Sequence, residues 1–277
     1  MMTYFLLVAL GFAVGTFGTL IGAGGGFILM PILLLSYPQR SADELTAISL
    51  AMICCNATSG SISYARMKRI DYTSGVLFLM AGIPGAVLGA MTVAYIPRQA
   101  FNLVFGLVLI AGSLFIFFRP PRESESSMST HGGTRFRRTL IDAQGTRHKF
   151  AYNLPVGIVL SLFVGFASSL LGIGGGIIHV PAMVHLLDFP VHLATATSHF
   201  VLAAMTLAGT IVHLVDGSLR AGLAIAGCLA VGAVAGAQLG ARLSHRIHGR
   251  WILRALAVAL ALVGMRILIA AVRSPVR

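Results

Sequence analysis

The chain has 277 residues, of which 57% are hydrophobic and only 10% charged. A soluble core of that size would leave too little polar surface, so composition excludes a soluble globular protein and fits an integral membrane protein. The net charge of +12 raises nucleic acid as a partner, but the Arg and Lys residues sit mainly in short loops between apolar blocks, where they orient a chain in a bilayer; nucleic acid is set aside.

The blocks run over 4–36, 46–64, 73–96, 100–118, 152–187, 195–215, 219–241 and 251–272, and most match the ~20 residues that cross a bilayer. No Lys or Arg precedes the first block, and its apolar character continues past cleavage length, so no cleaved signal peptide is expected. Inside it, Gly22-Ala23-Gly24-Gly25-Gly26 leads to Pro31. The second block carries a polar stripe: Thr46, Ser49, Asn56, Gly60, Ser63 and Tyr64 fall within roughly 100° of a helix. After the fourth block, residues 119–150 carry Pro120, Pro121, a Ser/Glu stretch and Arg135, Arg137, Arg138, Arg147 and Lys149. A mobile, cytoplasmic polar linker is expected there. The fifth block is broken by Gly172-Ile173-Gly174-Gly175-Gly176, leading to Pro181, and the sixth carries a stripe of Thr195, Ser198, His199, Thr206, Gly209, Thr210 and His213 within about 120°.

The two glycine breaks lie 150 residues apart, and other matches keep the same order: Thr46 to Ser49 with Thr195 to Ser198, Gly60 to Ile62 with Gly209 to Ile211, Gly85 to Ala90 with Gly232 to Ala237. Order-preserving similarity indicates an internal repeat. The organisation is therefore a first membrane repeat over 1–118, the linker over 119–150 and a second repeat over 151–277. Basic residues favour opposite loops in the two halves: Arg66, Lys68 and Arg69 against Arg220 alone, then Arg98 alone against Arg242, Arg246, Arg250 and Arg254. Opposite bias is what inverted repeats show. Inversion needs an odd number of crossings per half, which blocks 4–36 and 152–187 supply if each folds back at its glycines. The expected fold is all-α, with four long helices and one short broken helix in each half; eight simple spans in parallel repeats are the alternative.

Glycine and proline are costly inside helices, so paired clusters in lipid-compatible sequence point to backbone exposed for a purpose. A helix beginning after Gly26 or Gly176 aims unpaired N–H groups and its positive dipole end at the break, where anions bind. Pro31 and Pro181 are expected within the first turn, where a missing N–H breaks no helical bond. The bland reading is that the glycines serve only tight helix packing, as the Gly85/Gly89 and Gly232/Gly236/Gly240 series do. Nucleotide binding fails: no Gly-Lys-Ser/Thr follows, and Phe27 and Ile177 stand where a dinucleotide fingerprint needs glycine. Gly24, Gly25, Gly26, Gly174, Gly175 and Gly176 are candidate substrate-binding residues, with Ser49, Asn56, Ser198 and His199 completing the shell.

His199, ionisable within an apolar block, is a candidate anion ligand or proton carrier, or else an interhelical hydrogen-bonding residue. The other histidines lack the spacing for a metal site, the three cysteines lack disulfide or zinc spacing, and no metal, cofactor or catalytic residue is expected. All eight acidic residues fall at block ends or in loops, which disfavours a cationic substrate. Arg266 is read as snorkelling to the interface, with substrate counter-ion as the alternative.

At the paired Gly-x-Gly-Gly-Gly-x-x-x-x-Pro segments, 22–31 and 172–181, and the Thr-Ser segments that follow, the chain strongly resembles the sulfite exporter TauE/SafE family of membrane transporters. The resemblance covers nearly the whole chain except the linker. It implies movement of sulfite, sulfonates or other small sulfur-containing or carboxylated anions across the bacterial inner membrane. The expected function is a secondary transporter in which one half rocks against the other, with protons permitted as the coupling ion. An anion channel through the same breaks is the alternative, and a membrane-embedded enzyme the last choice.

Overall fold

A computed structural model describes residues 2–118, 136–244, 257–258 and 261–269. Among them the helices are α1 (Met2–Ile21), α2 (Gly26–Ser36), α3 (Ala42–Arg66), α4 (Tyr72–Val93), α5 (Arg98–Phe118), α6 (Leu154–Leu171), α7 (Gly176–Leu186), α8 (Val191–Val215) and α9 (Leu223–Ser244). A hairpin of β1 (Phe136–Ile141) and β2 (Arg147–Tyr152) lies between α5 and α6. Six of the helices are long and apolar enough to cross a membrane. The chain is an all-α, multi-pass membrane protein, in which each span satisfies its own backbone. Half of the expected last block, 251–272, lies outside the described residues, although 257–258 and 261–269 are helical.

Both long blocks break at their glycines, giving α1 with the short α2 and α6 with the short α7. Gly22, Gly24 and Gly25 have φ of 81°, 73° and 86°, and Gly172, Gly174 and Gly175 have 65°, 81° and 76°. That left-handed conformation strains any residue with a Cβ, so the helix ends where the sequence stops supplying side chains. One expectation needs correction. Pro31 and Pro181 lie in the second turns of α2 and α7, which begin at Gly26 and Gly176. Each therefore removes one internal helical bond and loosens the short helix near its start.

Small residues set the long-helix packing, because lipid offers no hydrophobic force to drive helices together. α1 lies along α9 with Gly232, Gly236 and Gly240 against the carbonyls of Val8, Phe12 and Thr16. α4 lies along α6 with Gly85 and Gly89 against the carbonyls of Leu162 and Phe166. Contacts advance in the same direction on both members, so each pair is parallel. α3 and α8 run antiparallel: Leu50 meets Gly209, Cys54 Sγ lies 3.9 Å from Ala203 O, and Gly60 meets His199. The two tightest pairs thus each join one helix from 1–118 to one from 151–277, so the halves do not pack as separate rocking bodies.

Of the expected mobile linker, 119–150, residues 119–135 lie outside the described residues, and 136–150 run with Ala151 and Tyr152 into the hairpin instead. Its strands alternate: Arg137, Thr139, Ile141, Arg147 and Lys149 are exposed, while Phe136, Arg138, Leu140, His148, Phe150 and Tyr152 are turned inward. Phe150 and Tyr152 pack their rings on Phe189, and Tyr152 also meets Phe78. Arg138 clamps the carboxylate of Asp71, the residue immediately before α4, with Nη2 2.7 Å from Oδ1. Tyr152 donates to Ser74 at 2.6 Å, Ser74 donates to Asp71, and the Asp71 N–H donates to Thr197 Oγ1 of α8 at 3.0 Å. In the turn, burial opposes the charge of Asp142, but His148 and the N–H groups of Thr146 and Gln144 outweigh it and hold its carboxyl below the ordinary value.

The hairpin defines one end of the bundle, shared with the loops at 67–71 and 187–190. At the other end, Arg40 donates to Ala221 O at 3.3 Å and Arg98 donates to the carbonyls of Leu34 and Arg40. Because the Asp71 side chain is 1% exposed, Arg138→Gln strands a buried carboxylate and costs about 1–3 kcal/mol locally. Amide hydrogen exchange should quicken across residues 136–152 and stay unchanged in α1 and α9.

Candidate functional site

All residues of both breaks, 22–26 and 172–176, are buried. At the end of α1 the exposed donors are recovered: Gly22 N–H bonds Thr19 O at 3.0 Å, and the N–H groups of Ala23 and Gly24 bond Gly18 O at 2.8 and 3.1 Å. Past that point recovery stops. The N–H groups of Gly25, Gly26 and Phe27, and of Gly174, Gly175, Gly176 and Ile177, have no acceptor among the described residues. They are the starts of α2 and α7, where the helix ladder supplies none.

The breaks do not face each other across open space. A Cβ on Gly26 would lie 2.7 Å from the Ile173 carbonyl oxygen, and one on Gly176 would collide with the carbonyl of Gly22. Each short helix therefore begins against the backbone of the other break. Two side chains bridge the pair: Ile53 and Leu202 both approach the Cβ positions of Gly24 and of Gly174, at 2.6 to 3.5 Å. Both breaks share one close-packed centre, closed to solvent.

Ser49, Asn56 and His199 of the two polar stripes meet at that centre, and every residue named in the stripes is buried, His213 at the end of α8. Asn56 Nδ2 donates to Gly24 O at 3.2 Å, and its Oδ1 accepts from Thr19 Oγ1 at 3.2 Å. His199 Nε2 lies 3.2 Å from the same Thr19 Oγ1, and Tyr64 donates to Thr19 O at 2.7 Å. Ser49 donates to Gly172 O at 2.6 Å, so a residue of the first half grips the second break. Among the described residues, Ser198 Oγ has no hydrogen-bond partner, nor do the Thr46, Ser168 and Ser169 hydroxyls, and His199 Nδ1 approaches the Gly22 backbone outside hydrogen-bonding geometry. Thr19 links Asn56 to His199 and was not singled out in the sequence, because a Thr at the end of an apolar helix carries no periodic signal. Ile53 and Leu202, apolar residues among apolar residues, were equally silent.

Other titratable groups lie away from this centre. His179 is buried with Nε2 3.3 Å from Ser161 Oγ, and Arg266 is exposed on the outer surface. Asp43, His213 and Asp216 bring three ligand-type atoms within 4.8 Å of one another at the end opposite the hairpin.

The sulfite exporter TauE/SafE family model matches residues 7–267. A probable membrane transporter protein of Bacillus subtilis, YunE, is 32% identical over 273 residues, covering 96% of this chain and 98% of the relative. A probable membrane transporter protein of Methanocaldococcus jannaschii is 27% identical, covering 76% and 72%. YfcA of Escherichia coli, again a probable membrane transporter protein, is 23% identical, covering 80% and 74%. No solved structure matches the chain.

Backbone atoms cannot yield to a new methyl group, so Gly176→Ala should destabilise the protein by about 1–3 kcal/mol. Gly227→Ala, on an exposed face of α9 with nothing within 4 Å, should be neutral or gain about 0.5–1 kcal/mol. Thermal unfolding of the two variants in detergent checks the contrast; equal melting temperatures would count against the packed centre.

Proposed function

The chain belongs to the sulfite exporter TauE/SafE family of membrane transporters, and we propose that it is a secondary carrier of a small sulfur-containing or organic anion of the sulfite or sulfonate type. The observation that supports this reading is the cluster of unpaired, buried N–H groups at the starts of α2 and α7. Such groups, with two converging positive dipole ends, favour negative charge. Every described acidic residue sits at a helix end, in a loop or in the hairpin, which supports an anion over a cation. Gly25, Gly26 and Gly174 to Gly176 hold the anion through backbone N–H, whereas the N–H of Gly24, expected among them, is taken by Gly18 O; Ser49, Asn56, Ser198 and His199 complete the shell. Because the centre is closed in this conformation, the anion enters only when the two short helices part.

The antiparallel relation of α3 and α8, which carry the matched Thr-Ser segments, supports inverted repeats around that centre. The moving bodies are then the parallel pairs α1–α9 and α4–α6. Basic residues support a bacterial inner-membrane orientation with the hairpin end in the cytoplasm: Arg66, Lys68, Arg69, Arg137, Arg138, Arg147 and Lys149 lie there, against Arg40, Arg98 and Arg220 at the opposite end.

Proteoliposomes given labelled sulfite, thiosulfate, sulfonates and carboxylates should take up at least one anion saturably and exchange it for unlabelled anion. Asn56→Ala should lower that exchange by about tenfold or more. Linear flux without exchange would move the reading to a channel, and uptake of none of these anions would remove it. In cells, a cysteine at Tyr95, 87% exposed, should react with an impermeant reagent from outside, and a cysteine at Lys68 should react only after permeabilisation.

A further inference from the structure

The two breaks carry unequal numbers of spare donors. Gly24 N–H bonds Gly18 O at 3.1 Å, whereas Gly174 N–H, at the matched place, has no acceptor among the described residues. Four successive N–H groups are therefore free at the second break, Gly174 to Ile177, against three at the first, Gly25 to Phe27. The helices before the breaks explain the difference. A Cβ on Gly18 would collide with the nitrogen of Gly25, so α1 comes this close only because residue 18 is a glycine. Ser168 holds the same place in α6, where its own Cβ keeps the second break further off. Its Oγ lies 3.1 Å from where a Cβ on Gly175 would be.

The hydroxyls around the breaks differ in the same sense. Thr19 donates to Asn56 Oδ1 and lies 3.2 Å from His199 Nε2. Ser169 matches Thr19, but the residues that match Asn56 and His199 are Met205 and Leu50, and no such latch forms. Leu50 lies beside Ser169 against Gly209, as His199 lies beside Thr19 against Gly60. Thr195, set against Gly22, returns its hydroxyl to Val191 O at 2.9 Å, while Thr46, set against Gly172, leaves its own unused. One pair goes the other way: Ser49 donates to Gly172 O, and Ser198 is free. Ser168 and Thr46 are fully buried with no hydrogen-bond partner among the described residues. Unpaired buried hydroxyls are costly, and two of them beside a run of free N–H groups make a donor set without an acceptor.

We propose that Ser168 and Thr46 are further ligands of the transported anion, which is held on the second break rather than midway between the two, and that its class is an oxyanion with three oxygens on one atom. This rests on the anion-carrier reading above and adds to its shell. A sulfite or sulfonate presents three oxygens, each with room for more than one hydrogen bond, and satisfies more of these donors than the two oxygens of a carboxylate. Donors left unpaired beside a carboxylate make it the poorer ligand. The first break, with Thr19 tied to Asn56 and His199, closes over the anion from the other side.

The test compares thermal unfolding in detergent with exchange in proteoliposomes, using full-length protein and sulfite, methanesulfonate and acetate as probes. Methanesulfonate and acetate share a methyl group and a single charge and differ in their oxygens. In the wild type, methanesulfonate should compete with labelled sulfite at a concentration at least about tenfold below that of acetate. Ser168→Ala should raise the half-saturating sulfite concentration about tenfold and narrow the gap between the two competitors. Its melting temperature without anion should stay level or rise, because the lost hydroxyl had no partner in the protein. Thr46→Val should behave in the same way. Thr19→Val is the contrast: it strands Asn56 Oδ1 and should lower the melting temperature without anion. Unchanged half-saturation in Ser168→Ala, or acetate equal to methanesulfonate in the wild type, overturns the proposal and leaves the carrier reading standing. A fall in the anion-free melting temperature of Ser168→Ala does the same, since it marks a hydroxyl that serves the fold. If the wild-type protein exchanges no anion at all, the carrier reading fails and this site falls with it.

Discussion

A polar backbone group within a membrane must find a partner inside the protein, and this structure is organised around a few that do not. Gly25 to Phe27 and Gly174 to Ile177 leave their N–H groups at the centre of the bundle without an acceptor among the described residues. Each such group is costly in a medium without water. The surrounding helices seal the centre nonetheless: each break is set against the other, Asn56 and Ser49 donate to carbonyls of the two breaks, and Ile53 and Leu202 cover them from two sides. The anion reading proposed above rests on this donor cluster.

Much of this was legible from the residues. The breaks announced themselves because glycine and proline are rare inside lipid-compatible helices, and both proved to be turns between a long helix and a short one. The stripes on α3 and α8 were readable because a polar residue buried in a membrane helix must recur at helical spacing, and each one is buried. The glycine series of α4 and α9 were rightly taken as packing surfaces. Other features left no trace in one dimension. Thr19 joins Asn56 and His199 across three helices, a relation that no spacing along the chain encodes. The hairpin was concealed by the Pro, Ser and charged residues before it, and its alternation over six-residue strands is too short to stand out. Its anchor, Arg138 on Asp71, joins residues 67 positions apart. The prolines were misplaced by a turn because α2 and α7 begin at their last glycine rather than beyond it.

Polar ties occur at both ends of the bundle and differ in kind. At the hairpin end, Asp71 is held by a permanent cation, Arg138, and by Ser74. At the opposite end, Asp43 Oδ1 lies 3.3 Å from His213 Nδ1, a contact between the start of α3 and the end of α8. Arg98, donating to the carbonyls of Leu34 and Arg40, anchors the outer end of α2 next to the second tie.

The crossing of the closest pairs between the two segments bears on how the protein is made. When α1 to α5 leave the ribosome, the helices that must cover α1 and α4 have not been synthesised. The glycine face of α4 and the surface of α1 then wait in lipid until α6 and α9 arrive, so the early helices are inserted long before they are assembled. A nascent chain in that condition depends on the insertion machinery or on neighbouring lipids to keep its incomplete surfaces from foreign partners. Severing the chain between its segments would yield two fragments that each lack the other's lining, and neither would be a working unit of its own.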